Sequence, residues 1–128
     1  MTLEKRSIFA VDDEKDILDI YYTALGKDFS FKGFLNVNEF VNEFIDAIQK
    51  NQLPDIIFTD LRMPEMSGIQ LIKWTREKNI FRPFLVISGF ADRTASHEAM
   101  KLGMVEILEK PFSADQLRVM TERVLSFV

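Results

Sequence analysis

Residues 54–68 read PDIIFTDLRMPEMSG, and this stretch indicates how the whole chain is built. The apolar run Asp55–Thr59 has the length and the β-branched content of a buried strand. Asp60 follows this run directly. Ser67, with Gln70 three residues later, has the spacing of a capping box, which begins a helix. The stretch therefore predicts a strand, a polar loop and a helix in succession.

The same strand-then-helix pattern recurs on both sides of this stretch. The five runs of strand length are Ser7–Val11, Phe29–Leu35, Asp55–Thr59, Pro83–Ile87 and Met104–Leu108. Apolar residues at helical spacing lie within residues 17–25, 40–48, 69–74, 91–102 and 113–125, and the fourth of these segments is weakly apolar. Strands separated by helix-length segments pair in parallel, with right-handed crossovers and helices on both faces. The sequence therefore predicts an α/β, doubly wound (βα)5 fold with a five-stranded parallel sheet.

Length and composition exclude several classes of protein. With 128 residues, 47% of them hydrophobic and 28% charged, the chain matches one globular domain, which we expect to span residues 1–128. The absence of cysteine and the single histidine, His97, exclude disulfides, zinc–thiolate sites and multi-histidine metal sites. No apolar run has the length of a membrane span, and no secretory signal core follows Met1. We therefore expect a cytoplasmic protein, and its net charge of −4 argues against nucleic-acid binding.

Polar side chains stand at the predicted carboxyl ends of four strands. Asp12 and Asp13 follow the first strand, Asp60 the third, Ser88 the fourth and Lys110 the fifth. In open parallel sheets, ligands bind in the crevice beyond the carboxyl ends of the strands. We therefore expect these five side chains to face one crevice.

The charges of this crevice favour a particular chemistry. The carboxylates of Asp12, Asp13 and Asp60 repel one another, and the ammonium of Lys110 leaves a net charge of about −2. Carboxylates, carbonyls and waters are the ligands that Mg²⁺ prefers, so this ion would neutralise the site. An aspartate can act as a nucleophile and carry a phosphoryl group, whose oxygens a lysine and the Ser88 hydroxyl would bind. The residues therefore favour Mg²⁺-assisted phosphorylation of an aspartate.

Over essentially its whole length, the chain resembles the response-regulator receiver domains of two-component signal transduction. The resemblance rests on residues 54–68, on the acidic pair within Val11–Glu14, on the serine of Val86–Gly89 and on the Lys-Pro-Phe ending of Leu108–Phe112. Each motif alone is weak evidence for this family, whereas the four motifs in this order are specific to it. The resemblance implies a flavodoxin-like fold with strand order 2-1-3-4-5.

The resemblance also implies a metal site. Asp13 and Asp60 would ligate Mg²⁺ directly, with the backbone carbonyl of Arg62 as a third protein ligand. Asp12 would act chiefly through a metal-bound water. Because no imidazole or thiolate lies nearby in the pattern, zinc and copper do not fit.

For the reaction, the resemblance implies that Asp60 is the phosphorylated nucleophile. A histidine kinase or a histidine phosphotransfer protein would supply the phosphoryl group. Lys110 would pair with Asp60 and then with the phosphoryl group, and Ser88 would hydrogen-bond a phosphoryl oxygen. The Lys110–Pro111 peptide would be cis. Such a domain catalyses only its own phosphorylation and dephosphorylation, so we do not expect an enzyme that acts on an external metabolite.

The signal is expected to leave the domain through a shift of the Ser88–Ala91 loop and the fourth helix. The weak apolar pattern of that helix is typical of an element of low stability. The family pairs as homodimers, and binds partners, through the fourth helix, the fifth strand and the fifth helix. The downstream protein or output domain is not identifiable, and the sequence leaves open whether this receiver stands alone or belongs to a longer regulator.

Two alternatives to a phosphorylated receiver remain open, and one of them is suggested by a position that departs from the family pattern. Ile107 stands three residues before Lys110, where most receivers carry an aromatic residue that moves with the switch. This favours, as one alternative, a protein-binding module whose pocket is not functional. The other alternative is a Mg²⁺-dependent phosphotransferase or phosphatase with an aspartyl nucleophile. Against it, Arg62 occupies the position two residues after Asp60 where an acid–base aspartate would be needed, and there is no cap insertion.

Overall fold

The structure is a computed structural model that describes residues 5–127, apart from the side chain of Phe90. Residues 1–4 and Val128, at the two ends of the predicted domain, lie outside the described residues. The elements are, in chain order, β1 (Ser7–Val11), α1 (Lys15–Leu25), β2 (Ser30–Phe34), α2 (Val37–Gln49), β3 (Ile56–Asp60), α3 (Gly68–Glu77), β4 (Phe84–Ser88), a 3-10 turn (Phe90–Asp92), α4 (Arg93–Met100), β5 (Val105–Glu109) and α5 (Ala114–Leu125). The predicted alternation of strands and helices is confirmed.

The five strands form one parallel sheet in the order β2-β1-β3-β4-β5, as the resemblance implies. The register places Thr59 between Val11 and Val86, so neighbouring strands end at the same edge. Every residue of β3 and of β4 is buried. Burial on both faces explains why these two central strands are nearly continuous apolar runs rather than alternating ones.

Two hydrophobic cores lie on opposite faces of the sheet. The core under α2, α3 and α4 includes Phe40, Phe44, Leu71, Ile72 and Ala99. The core under α1 and α5 includes Leu18, Tyr21, Leu25, Leu117 and Val124. These cores hold the sheet rigidly, so the loops at its carboxyl edge are positioned by a fixed scaffold.

Helix α4 is the short element that its weak apolar pattern predicts. It has 8 residues, and those it buries are Ser96 and Ala99. Little apolar area therefore holds α4 on the sheet, which makes it a segment that moves at low energetic cost. None of the helices described between residues 5 and 127 is both long enough and apolar enough to cross a membrane.

The boundaries differ from the sequence expectations by small amounts that have local causes. Strands β3 and β4 each begin one residue later than the apolar runs that predict them, at Ile56 and Phe84, and they end at Asp60 and Ser88, as expected for residues at the carboxyl ends of these strands. Helix α2 begins at Val37, before its first expected apolar residue, because the Asn36 side chain accepts a hydrogen bond of 2.9 Å from the Glu39 N–H. Such a cap satisfies a backbone donor that the first helical turn leaves free.

Candidate functional site

Three carboxylates meet at the carboxyl edge of the sheet. One oxygen each of Asp12, Asp13 and Asp60 lies within 4.8 Å of the others. Strand pairing explains the arrangement, since Val11 lies opposite Thr59 and the residues that follow them come side by side. Asp12 is 0% exposed and Asp60 is 8% exposed, whereas Asp13 faces solvent. The sequence prediction that these residues share one crevice is therefore confirmed.

Hydrogen bonds fix two of the three carboxylates. The Glu14 N–H donates to Asp12 Oδ1 over 2.9 Å, and the Arg62 N–H donates to Asp60 Oδ1 over 3.0 Å. The Lys110 ammonium donates to Asp60 Oδ2, also over 3.0 Å. Both oxygens of Asp60 are thus held in place, whereas Asp12 Oδ2 is buried and has no hydrogen-bond partner in the described part of the chain.

The charges of the cluster are only partly balanced. Burial raises the pKa of Asp12 to about 7, and the charges of Asp60 and Asp13 also raise it, against the opposing effects of the Glu14 N–H and Lys110. Burial alone would lower the pKa of Lys110, but the hydrogen bond and the charge of Asp60 outweigh it, so the pKa is raised. A buried carboxylate oxygen to which no described residue donates a hydrogen bond, beside two further carboxylates, fits a hard divalent cation such as Mg²⁺.

Neutralising Asp12 is expected to change how the stability of the metal-free protein depends on pH. Because folding raises the pKa of Asp12 to about 7, the folded state binds a proton that the unfolded state has released between about pH 4 and about pH 7. The stability that this proton contributes is present at lower pH and is lost as the pH rises through the folded pKa. Asp12→Asn has no such proton to lose.

We therefore expect the free energy of unfolding in EDTA to fall from about pH 6 to about pH 8 by about 1 kcal/mol more in the wild type than in Asp12→Asn. Urea unfolding of both proteins at both pH values measures this difference. Equal changes in the two proteins would contradict the raised pKa of Asp12.

Lys110 reaches Asp60 across strand β4. Strand β5 pairs with β4 so that Glu109 lies opposite Ser88, and the Lys110 N–H donates to the Ser88 carbonyl over 2.8 Å. The Lys110–Pro111 peptide is cis, as the resemblance implies. The Lys110 side chain keeps 30% of its surface exposed, so its ammonium lies at the rim of the crevice, where an incoming anion can also reach it.

Helix α3 begins directly against the strand that carries Asp60. The Ser67 hydroxyl accepts from the Gln70 N–H over 3.1 Å, and the Gln70 side chain accepts from the Ser67 N–H over 2.9 Å, which is the predicted capping box. A Cβ on Gly68 would lie 2.8 Å from the backbone oxygen of Asp60, so this position has room only for glycine. The loop after Asp60 is thereby folded back over the end of the strand.

The Ser88 hydroxyl is engaged by helix α4. Ser88 is 2% exposed, and its hydroxyl accepts a hydrogen bond of 3.1 Å from the hydroxyl of Ser96. Sequence reasoning did not single out Ser96, because no motif marks one serine on a weakly apolar helix. The structure alone brings it to the edge of the site.

A second link that sequence reasoning missed joins the loops on either side of the crevice. The Arg62 guanidinium donates through Nε to Asp92 Oδ1. Asp92 ends the 3-10 turn that follows β4, and its side chain is only 10% exposed. Charge-assisted hydrogen bonds of this kind are stronger than neutral ones. The loop after Asp60 is therefore tied to the loop after Ser88.

Ile107, at the position where the resemblance leads one to expect an aromatic ring, is half-buried on β5. It lines a cleft of about 240 Å³ between β5 and α4, together with Ser88, Ser96 and Met100. Open space therefore lies beside α4, next to the Ser88–Ser96 hydrogen bond.

Comparisons with known proteins agree with this geometry. A family model described as the response regulator receiver domain matches residues 8–122. The DNA-binding transcriptional regulator NtrC of Proteus hauseri is 28% identical over 125 residues, which are 97% of this chain and 25% of NtrC. The transcriptional regulatory protein FixJ of Bradyrhizobium diazoefficiens is 32% identical over 122 residues, which are 94% of this chain and 57% of FixJ. The chain therefore spans a quarter of the one relative and just over half of the other.

Solved structures give the same result. The crystal structure titled FixJ-N superposes with a TM-score of 0.82 at 27% identity and covers 98% of both chains. Full-length FixJ from B. japonicum superposes with a TM-score of 0.82 at 31% identity, over 97% of this chain and 59% of that one.

Proposed function

The chain belongs to the response regulator receiver domains of two-component signalling, and we propose that it accepts a phosphoryl group on the carboxylate of Asp60. The donor is a phosphohistidine on a histidine kinase or on a histidine phosphotransfer protein. One observation carries the proposal: Lys110 Nζ lies 3.0 Å from Asp60 Oδ2, inside a cluster of three carboxylates. That arrangement pairs a nucleophile with a cation suited to the oxygens of an incoming phosphoryl group.

The transfer exchanges one bond to phosphorus for another. A carboxylate oxygen of Asp60 attacks the phosphorus of the phosphohistidine, a P–O bond forms, and the P–N bond breaks. The imidazole nitrogen keeps the electron pair of the broken bond and takes up a proton. The product is an acyl phosphate on Asp60, to which water can later add to release phosphate. The domain then acts on no substrate other than its own phosphoryl group.

Lys110 and Ser88 supply the polar contacts for the transferred group. The Lys110 ammonium, which in the described state contacts Asp60, stays beside the oxygens as negative charge moves from the carboxylate onto the phosphoryl group. Ser88 ends the neighbouring strand, and its hydroxyl would leave Ser96 to donate to a phosphoryl oxygen. The Arg62 N–H continues to orient Asp60 through its other oxygen.

Asp12, Asp13 and Asp60, with the backbone carbonyl of Arg62, would hold Mg²⁺. Asp12 Oδ2 is buried and has no hydrogen-bond partner among residues 5–127, which supports this assignment, because a buried carboxylate oxygen needs a positive partner or a water. When bound, the ion offsets the carboxylate charge and screens the oxygens of the phosphoryl group. Asp13 is exposed and can ligate directly, whereas Asp12 would act through a water.

The proposal predicts phosphorylation that depends on Mg²⁺. Incubation with acetyl phosphate or phosphoramidate and Mg²⁺ is expected to raise the intact mass by one phosphoryl group, about 80 Da. The same incubation in EDTA is expected to give no gain, because the carboxylates would repel the anionic donor. A histidine phosphotransfer protein that carries a phosphoryl group serves as a second donor. No gain from either donor would favour the alternative of a protein-binding module with a non-functional pocket.

The output is proposed to run through the surface formed by α4, β5 and α5. Among the described residues, Met100, Val119 and Phe127 leave 46%, 66% and 43% of their surface exposed on or next to these helices. A second copy of the chain or a downstream protein would cover them. NtrC and FixJ are named as transcriptional regulators and are longer than this chain. An output on transcription, through an attached or a separate partner, is therefore also a proposal for this chain.

A further inference from the structure

We propose that Ser96 is a positioning residue: its hydroxyl holds Ser88 toward α4 in the resting state, and the loss of this hydrogen bond releases α4 when Ser88 turns to a phosphoryl group. The inference rests on the proposed function of Asp60. It assigns the coupling between the crevice and the output surface to one pair of hydroxyl groups.

The hydroxyl groups of Ser88 and Ser96 form a buried pair. Ser88 is 2% exposed and Ser96 is 9% exposed, and their hydroxyl oxygens lie 3.1 Å apart with Ser96 as the donor. At an exposed site, water would replace either partner at little cost. At a buried site, the hydroxyl that loses its partner is left unsatisfied, which is costly. The positions of the two hydroxyls are therefore energetically coupled.

Helix α4 is weakly attached to the sheet. The residues that it buries fully are Ser96 and Ala99, and one of these two is polar. A leucine in place of Ser96 would hold the helix by burial of apolar area, which does not depend on where Ser88 points. With serine at position 96, rotation of Ser88 breaks the hydrogen bond between the two side chains, which is one of the interactions that hold α4 on the sheet. The helix must then move before the Ser96 hydroxyl can form another hydrogen bond.

A movement of α4 needs space. A cleft of about 240 Å³ between α4 and β5 is lined by Ser88, Ser96, Met100 and Ile107. Side chains in a close-packed core cannot rearrange without strain, whereas an open cleft lets a hydroxyl turn and a helix shift. Because Ile107 provides no ring to follow Ser88, the Ser96 hydroxyl is the group that senses its position.

The test compares six proteins by two measurements: the wild type, Ser96→Ala, Ser96→Thr, Thr75→Val, and Ser88→Ala with and without Ser96→Ala. Ser96→Ala removes the hydroxyl, and Ser96→Thr keeps it while the added methyl enters the cleft. Thr75→Val is the matched control, because Thr75 is likewise buried, with 0% of its surface exposed, and among the described residues its hydroxyl donates to a carbonyl of its own helix, that of Ile72. The measurements are amide exchange over residues 89–100 without any donor, and the rate of mass gain with acetyl phosphate and Mg²⁺.

We expect both amide exchange and phosphoryl uptake in Ser96→Ala to be about two- to tenfold faster than in the wild type. This range is the free energy of one neutral hydrogen bond expressed as a ratio of rates. Ser96→Thr and Thr75→Val are expected to behave like the wild type in this segment. In a Ser88→Ala background, Ser96→Ala is expected to change neither rate further, because its partner is already gone.

Three results would overturn the inference: unchanged exchange and uptake in Ser96→Ala, a threonine variant that behaves like the alanine variant, or a full effect of Ser96→Ala in the Ser88→Ala background. A wild-type protein that takes up no phosphoryl group would instead overturn the proposed function of Asp60. The two failures are therefore distinguishable in the same experiment.

Discussion

Asp60→Asn is expected to abolish phosphoryl uptake completely. The carboxamide oxygen of asparagine is a far weaker nucleophile than a carboxylate, so no acyl phosphate forms at this position. The fold is expected to survive, because an asparagine oxygen can still accept the hydrogen bond from the Arg62 N–H that now holds Asp60 Oδ1. The measurement is the intact mass after incubation with acetyl phosphate and Mg²⁺, with the far-ultraviolet circular dichroism of both proteins compared.

Asp16→Asn is the matched control for this prediction. Asp16 lies in the first turn of α1, four residues beyond Asp12, and its side chain is exposed. The substitution changes the net charge by the same amount as Asp60→Asn and leaves the crevice intact. We expect full uptake in Asp16→Asn, and uptake by Asp60→Asn would show that the acceptor is another residue.

Lys110→Met is expected to slow phosphoryl uptake by about 100-fold or more, the cost of removing one charged group that stabilises a transition state. The methionine keeps much of the apolar stem but loses the ammonium that contacts Asp60 Oδ2 at 3.0 Å. Without it, the three carboxylates repel an anionic donor, and no side chain follows the charge as it moves onto the phosphoryl oxygens. The initial rate of mass gain, at fixed Mg²⁺ and donor, gives the ratio to the wild type.

Two further variants separate charge from packing in this prediction. Lys110→Arg keeps the positive charge but places it on a planar guanidinium group instead of an ammonium group. We therefore expect Lys110→Arg to take up the phosphoryl group faster than Lys110→Met and more slowly than the wild type. Lys27→Met removes an exposed lysine in the turn between α1 and β2, and we expect no change. Equal rates for Lys110→Met and the wild type would contradict a direct role of Lys110 in the transfer.

Most of the fold was predictable because it depends on local patterns. The apolar run before Asp60 and the capping box at Ser67 are found as predicted, since strand burial and helix caps are decided by residues close in sequence. The start of α2 was missed because Asn36 lies before the apolar residues that mark the helix. Strands β3 and β4 begin one residue later than their apolar runs, because backbone pairing, which periodicity does not report, decides where a strand begins.

The acidic cluster was predictable for a different reason. In a parallel sheet the carboxyl ends of all strands meet at one edge, so Asp12, Asp13 and Asp60 had to meet once the strands were assigned. Ser96 and Asp92 were not predictable in this way. Asp92 lies in the turn before α4, and Ser96 lies on α4 itself. Their hydrogen-bond partners depend on how α4 packs on the sheet. The weak apolar pattern of α4 does not predict that packing.

The measurement that tests the central claim most directly is the location of the phosphoryl group on the wild-type chain. Reduction of the phosphorylated protein with borohydride converts an aspartyl phosphate to homoserine, and peptide mass spectrometry then finds the altered residue. We predict homoserine at position 60 alone, present after incubation with donor and Mg²⁺ and absent after incubation in EDTA. Homoserine at Asp12 or Asp13 instead, or an unaltered Asp60 in a protein that has gained a phosphoryl group, would contradict the account.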